Sequence, residues 1–239
     1  MKYIYGPVQS RRIGLSLGVS LTPHKLCDFD CVYCQVGATT RKTVERSEHV
    51  KIQDVLFELS GWLQGNPDAA KGLDYITLSG PGEPLLNTGI GTLIAAIKKL
   101  SSVPVALITN SSFLSDPAVR REILAVDLIV PSLDAVTQDI FEKIDCPAPG
   151  IKVEDIIEGL VALRKEYRGK IWLEVMLVQG LNDGIAHTRK LVEAVERIRP
   201  DKIQLNSPVR CPSEQGIVAL ERKQMEKIQE MLGDKAEIV

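Results

Sequence analysis

Three cysteines fall within eight residues, Cys27, Cys31 and Cys34, in the run CDFDCVYC. Their spacing is Cys-x3-Cys-x2-Cys. Three thiolates so spaced can hold three corners of an iron–sulfur cube and leave the fourth iron open for chemistry, as catalytic metal sites keep one position free. A structural zinc ion takes four ligands, usually from paired Cys-x2-Cys or His sets. Here the fourth would have to be His24, His49 or a distant cysteine, none at a familiar zinc spacing. A redox dithiol of Cys31 and Cys34 alone leaves Cys27 without a role.

These cysteines need a scaffold, and the aliphatic runs supply one. Short runs rich in Val, Ile and Leu at 14–21, 73–79, 104–109, 127–130, 171–178 and 202–206 read as strands buried on both faces of a parallel sheet. Between them, 52–63, 90–100, 117–124, 153–167, 185–198 and 220–232 carry apolar residues at helical period. Asp116-Pro117 reads as an N-cap followed by proline at the first helical position. Six strands alternating with helices predict parallel βαβ units. At 239 residues the chain falls short of a full eight-unit barrel, so the expectation is an α/β fold, an incomplete (βα)6 TIM-like barrel forming one domain over residues 1–239.

Active sites of parallel α/β folds form at the C-terminal strand ends. The residues closing these runs should therefore converge. They are Ser79 to Pro84 (SGPGEP), Thr109-Asn110-Ser111, Ser132 and Asp134, Gln179 to Asp183, and Asn206-Ser207, with the cysteine loop following the first strand. Each has a plainer reading: SGPG as a turn, Asn110 as a strand end, Ser132 and Asp134 as helix caps.

Composition narrows the classes. Hydrophobic residues make up 44%, aromatics 5% and charged residues 25%, with a net charge of −2. That is enough for an aliphatic core and gives no electrostatic case for nucleic acid or membrane over the whole surface. The first fifty residues lean basic, with seven Lys and Arg against four Asp and Glu. Arg11, Arg12 and Lys25 would either bind a phosphate-bearing substrate or position the cysteine loop. The N-terminus has no apolar h-region, and no run approaches the ~18 residues that span a bilayer. Five cysteines, three of them clustered, favour metal or redox chemistry over disulfides and suggest a cytoplasmic protein. Cys146 and Cys211 read as packing or loop cysteines, and His187 as a surface residue of a helix.

The cysteine motif, with Tyr33 just before its last Cys, and SGPGEP after the second strand resemble the signature of the radical S-adenosylmethionine (SAM) superfamily. The run from GPVQSRR to KTVER resembles its stand-alone wyosine-synthase-like subgroup, often labelled Fe–S oxidoreductases. The resemblance implies that Cys27, Cys31 and Cys34 ligate a [4Fe–4S] cluster whose open iron is chelated by SAM. It puts backbone around Ser79, Gly80, Gly82 and Glu83 against the methionine ammonium, with the Glu83 side chain either joining in or holding the loop. Tyr33 would lie against the adenine. Asn110, Ser132 and Asp134 sit where the family holds the carboxylate and ribose, Val178 to Asn182 would line the adenine, and Asn206 is a sixth-strand contact. The family's Gly-Gly-Glu reads Pro81-Gly82-Glu83 here, so one glycine is lost. Replacing Gly82 by valine is expected to weaken SAM binding by crowding the backbone contact.

The resemblance implies an oxidoreductase that reductively cleaves SAM to a 5′-deoxyadenosyl radical for hydrogen abstraction. Its substrate is unidentified, a small molecule, RNA or protein, and its reductant is of the flavodoxin or ferredoxin kind. Activation of a glycyl-radical enzyme and tRNA modification are the competing activities. A non-catalytic metal-binding regulator would not need SGPGEP.

Overall fold

The computed structural model describes residues 1–209 and 212–239. After a hairpin of β1 (Ile4–Ser10) and β2 (Gly14–Ser20), the cysteine loop carries the two-residue strands β3 (Leu26–Cys27) and β4 (Arg41–Lys42). Helices α1 (Ile52–Gly65) and α2 (Pro67–Lys71) lead to β5 (Tyr75–Ser79). Then follow α3 (Ile90–Leu100), β6 (Val105–Thr109), α4 (Pro117–Ile123), β7 (Leu128–Pro131), α5 (Gln138–Ile144) and α6 (Val153–Glu166). The chain closes with β8 (Lys170–Met176), α7 (Ile185–Ile198), β9 (Lys202–Asn206), α8 (Arg222–Leu232) and β10 (Ala236–Ile238).

The main sheet runs β1-β2-β5-β6-β7-β8-β9-β10. Only β1 is antiparallel to its neighbour. Strands β2 and β5 to β9 are the six expected from the aliphatic runs, and with their crossover helices they form the incomplete parallel barrel. Among the described residues, β1, β3, β4, α2, α5 and β10 were not legible. β1 buries only Ile4 fully, α2 buries nothing, and β10 is three residues long. The Asp116 carboxylate does cap α4, accepting from Ala118 N at 2.7 Å with Pro117 next in line.

The strands are not uniformly aliphatic across both faces. Leu17, Val19, Ile76, Leu78, Leu107, Ile129, Leu173, Ile203 and Leu205 pack outward in the large core shared with the helices. Inward, Ala106, Leu128 and Val130 form a second, small cluster closed by Ile13 from the β1–β2 turn. Elsewhere the inward positions are polar, with Ser16 and Thr77 sharing a hydroxyl hydrogen bond of 2.5 Å and Glu174 buried on β8. The barrel thus has an apolar floor plugged by the hairpin turn and a polar lumen above it.

His187 corrects the sequence reading. It lies on α7 but is only 7% exposed, and neither ring nitrogen has a partner. Burial lowers its pKa and Lys190 adds to that, while Asp139 of α5 opposes. A ring that resists protonation when folded, but protonates near 6.5 when unfolded, costs stability as pH falls below about 6.5. Other buried groups titrate in the same window, so the check is the difference between two proteins: we expect the melting temperature of the wild type relative to His187→Leu to fall between pH 7.5 and 5.5. A difference that stays constant with pH, by circular dichroism, would count against this account.

Candidate functional site

A cleft of about 530 Å³ opens where the strand ends meet the cysteine loop, and Cys27, Cys31 and Cys34 all line it. The loop is built rigidly. β3 and β4 pair in parallel, and Thr43 N donates to Cys27 O at 3.0 Å. Cys34 N donates to Cys31 O at 3.0 Å, closing a tight turn. The Lys25 ammonium, buried, donates to Gly37 O and stands 3.8 Å from Asp30, so Lys25 positions the loop. The loop is stitched to the end of α5 by Asp30 N to Asp145 O and Val32 N to Ile144 O, and by the Phe29 ring packed edge-on against Phe141.

Two carboxylates that the sequence reading passed over, Asp28 and Asp145, stand behind the thiols. Asp28 is fully buried. Its Oδ1 accepts from Asn110 Nδ2 at 2.6 Å, and its Oδ2 has no partner. The Cys31 thiol donates to Asp145 Oδ1 at 3.4 Å, and the Tyr33 hydroxyl donates to Asp134 Oδ2. Burial raises the pKa of the Cys27 and Cys31 thiols, with Asp28 and Asp145 respectively adding to it. Burial also pushes the Asp134 carboxyl up to about 6. An acid inside CDFDC and one just before Cys146 were the available signals, since Asp is almost never fully buried without a partner.

SGPGEP closes the cleft opposite. Ser79 Oγ shares a 2.6 Å hydrogen bond with the Tyr5 hydroxyl, Gly80 takes φ +130°, and Glu83 N donates to Leu26 O at 3.1 Å. The Glu83 side chain is 2% exposed and accepts from Leu85 N, Thr109 Oγ1 and Asn110 N at 2.7 to 2.9 Å. These three bonds hold the loop. Burial and nearby Asp28 push the Glu83 carboxyl up to about 8, against the pull of those three donors.

Tyr33, Ser79, Gly80, Gly82, Glu83, Asn110, Ser132, Asp134 and Asn206 share this cleft with the cysteines. Asp134 does not cap a helix. Its Oδ1 accepts from Met176 N at 2.8 Å and ties β7 to β8. Val178 and Asn182 are not brought in. Val178 is fully buried, and the Asn182 side chain spends its groups on Val178 N, Asp134 O and Met176 O. β8 ends at Met176, so Glu174 and Met176 line the cleft where 178–182 were expected. Arg11 and Arg12 also line it. Cys146 sits in the loop after α5 outside the cleft, its carbonyl accepting from Lys42 Nζ at 2.8 Å. Cys211 lies outside the described residues.

The donor set can be tested against a cluster. Among the described residues, no three His, Cys, Asp or Glu side chains converge closely enough to hold a single metal ion. Three soft thiols on one braced loop, facing one cavity beside a glycine-lined backbone, fit a larger iron–sulfur body instead.

The Radical SAM superfamily model matches residues 21–192, the stretch from the cysteine loop to α7. The chain belongs to the radical SAM superfamily. It is 37% identical over 226 residues to the GTPase Obg of Brachyspira hyodysenteriae, covering 95% of this chain and 33% of that protein. It is 36% identical over 217 residues to a UPF0026 protein of Methanocaldococcus jannaschii, covering 91% of this chain and 67% of that one. The chain thus spans from a third to two thirds of these relatives' length. Its fold matches a radical SAM methyltransferase of Sphaerobacter thermophilus with a TM-score of 0.73 at 17% identity, over 94% of this chain and 65% of that one. Proteins of the radical SAM superfamily use a [4Fe–4S] cluster and SAM, act on a substrate and need a reductant. Among the described residues no helix is long and apolar enough to cross a membrane.

Proposed function

We propose that the chain acts as one domain in which Cys27, Cys31 and Cys34 ligate the cluster and SAM lies against Ser79 to Gly82 and the ends of β6, β7 and β9. The supporting observation is that all three cysteines and these strand ends line one cleft. A reduced cluster held by these cysteines would supply the electron for reductive cleavage of SAM to methionine and a 5′-deoxyadenosyl radical able to abstract hydrogen from the substrate.

The chain's own residues prepare that event. Glu83 fixes the glycine loop on Thr109 and Asn110. Asp134 holds the Tyr33 hydroxyl, so the ring is oriented before a ligand arrives. Asn110 is pinned on both sides, its Nδ2 donating to Asp28 Oδ1 and to Cys27 Sγ and its Oδ1 accepting from Ser112 N and Oγ, so it braces the first cysteine. The apolar floor at Ile13 closes the lumen from below and keeps bulk water off a reactive intermediate.

The test is anaerobic reconstitution with iron and sulfide, reduction with dithionite, addition of SAM and detection of 5′-deoxyadenosine by mass spectrometry. Product from the wild type and none from the triple Cys-to-Ala variant is expected. A wild type that takes up no cluster, or a triple variant that forms as much product, would overturn the proposal.

A further inference from the structure

The lumen between the apolar floor and the glycine loop carries charge that the cofactor assignment does not use. The β1–β2 turn brings in two guanidinium groups. Arg12 Nη1 lies 2.5 Å from Glu174 Oε2, with the arginine side chain 29% exposed and the glutamate 7%. Arg11 Nη2 donates to Asn206 Oδ1 at 3.1 Å, and Nη1 to the main-chain oxygen of Val239 at 3.1 Å. Among the described residues, no side-chain carboxylate lies within 4 Å of Arg11. Glu174 also accepts from Asn206 Nδ2 at 3.0 Å, so Glu174 and Asn206 link the two arginines, while Arg11 leans on the Val239 oxygen as well.

The turn is anchored, not loose. The next residue, Ile13, is the floor plug, and Arg12 O accepts from Gln204 Nε2 at 2.9 Å. The guanidinium groups are therefore preplaced in the cleft wall. A planar guanidinium pairs two-pronged with a carboxylate or phosphate, and fixing it in advance lowers the cost of binding. Ser16 and Thr77, inward-facing on β2 and β5, offer hydroxyls to the rest of such a ligand.

We propose that Arg11 and Arg12 form the substrate subsite of this enzyme, and that the substrate is a small molecule bearing a carboxylate or phosphate. This rests on the function proposed above for the same cleft. In the resting protein Glu174 occupies Arg12, and the substrate's anionic group takes its place. The floor closed by Ile13 makes the arginine end of the cleft blind, which suits a small ligand. The net charge of −2 lacks the broad basic surface that an RNA needs.

The test is calorimetric titration of the reconstituted full chain, with SAM present, using inorganic phosphate, malonate and a short RNA oligonucleotide as probes. Saturable one-to-one binding of phosphate or malonate is expected, and whichever binds more tightly identifies the anion. Arg11→Gln and Arg12→Gln should each weaken it at least tenfold. Glu174→Gln should tighten it several-fold by freeing Arg12, a gain that misfolding would not produce and that holds even if Arg12→Gln proves unstable. Absence of small-anion binding, binding unchanged in the arginine variants, or binding of the RNA alone would overturn the subsite. Cluster uptake and 5′-deoxyadenosine formation by the wild type are read separately, so either proposal can fail without the other.

Discussion

Replacing any one of Cys27, Cys31 and Cys34 by alanine is expected to abolish stable cluster binding. The wild type, reconstituted anaerobically, should carry about four iron atoms per chain and the brown absorbance of a [4Fe–4S] cluster, and each variant less than about one. The reason is that the three thiols are carried by a single braced loop with few substitutes nearby. His24 and His49 do not line the cleft, and Cys146 sits outside it. The fold should survive, because the loop is held by main-chain bonds to Asp145 and Ile144, by Lys25 on Gly37 and by Phe29 on Phe141, and none of these needs a thiol. Cys146→Ala, by contrast, should keep full iron content. A single-cysteine variant at 27, 31 or 34 that stays brown, by iron analysis and absorbance, would sink the ligand assignment.

The scaffold of this site could be read from the chain because burial leaves a one-dimensional trace. Leu107, Ile129 and Leu173 must each be apolar to pack under a helix, and every such run bounded a real strand. The strand ends converged as the parallel topology requires, which put Ser79, Asn110, Ser132, Asp134 and Asn206 with the cysteines without any contact being known. The failures share a different physics. β8 stops at Met176, two residues before its aliphatic run does, because Leu177 and Val178 turn into a loop that buries them anyway. Hydrophobicity records burial and not backbone direction, so the expected contacts at Val178 and Asn182 fell one turn too late.

A second class of miss lies in polar residues whose partners are distant in sequence. Glu174 meets Arg12 across 162 residues and Cys31 meets Asp145 across 114. No periodicity encodes such pairs. Yet the inward alternation of Ser16 and Gly18, Thr77 and Ser79, and Gln204 and Asn206 is present in the chain and marks a wet lumen. Reading those strands as evenly aliphatic hid it. His187 shows the converse: its position on α7 looked solvent-facing, and packing buries it with both nitrogens unsatisfied.

Gly82→Ala is expected to damage the cluster site as well as the SAM site. A Cβ built on Gly82 would lie 1.8 Å from Leu26 O, 2.6 Å from its carbonyl carbon and 3.0 Å from its nitrogen. These are main-chain atoms of β3, one residue before Cys27, and no flexible side chain is available to swing aside. The same oxygen accepts from Glu83 N at 3.1 Å, so relief of the clash breaks the bond that docks the glycine loop on the cysteine strand. The crowding expected at SAM therefore falls first on the protein itself. Overpacking of this kind costs about 1–3 kcal/mol, and each 1.4 kcal/mol is about tenfold in affinity. We expect iron content to fall below half of wild type and SAM affinity to weaken at least tenfold. Gly61→Ala on α1, where a Cβ meets nothing within 4 Å, should leave both unchanged. Full iron content with weakened SAM binding in Gly82→Ala would mean that the glycine faces the ligand and not β3, and wild-type values for both would mean that the loop is only a turn.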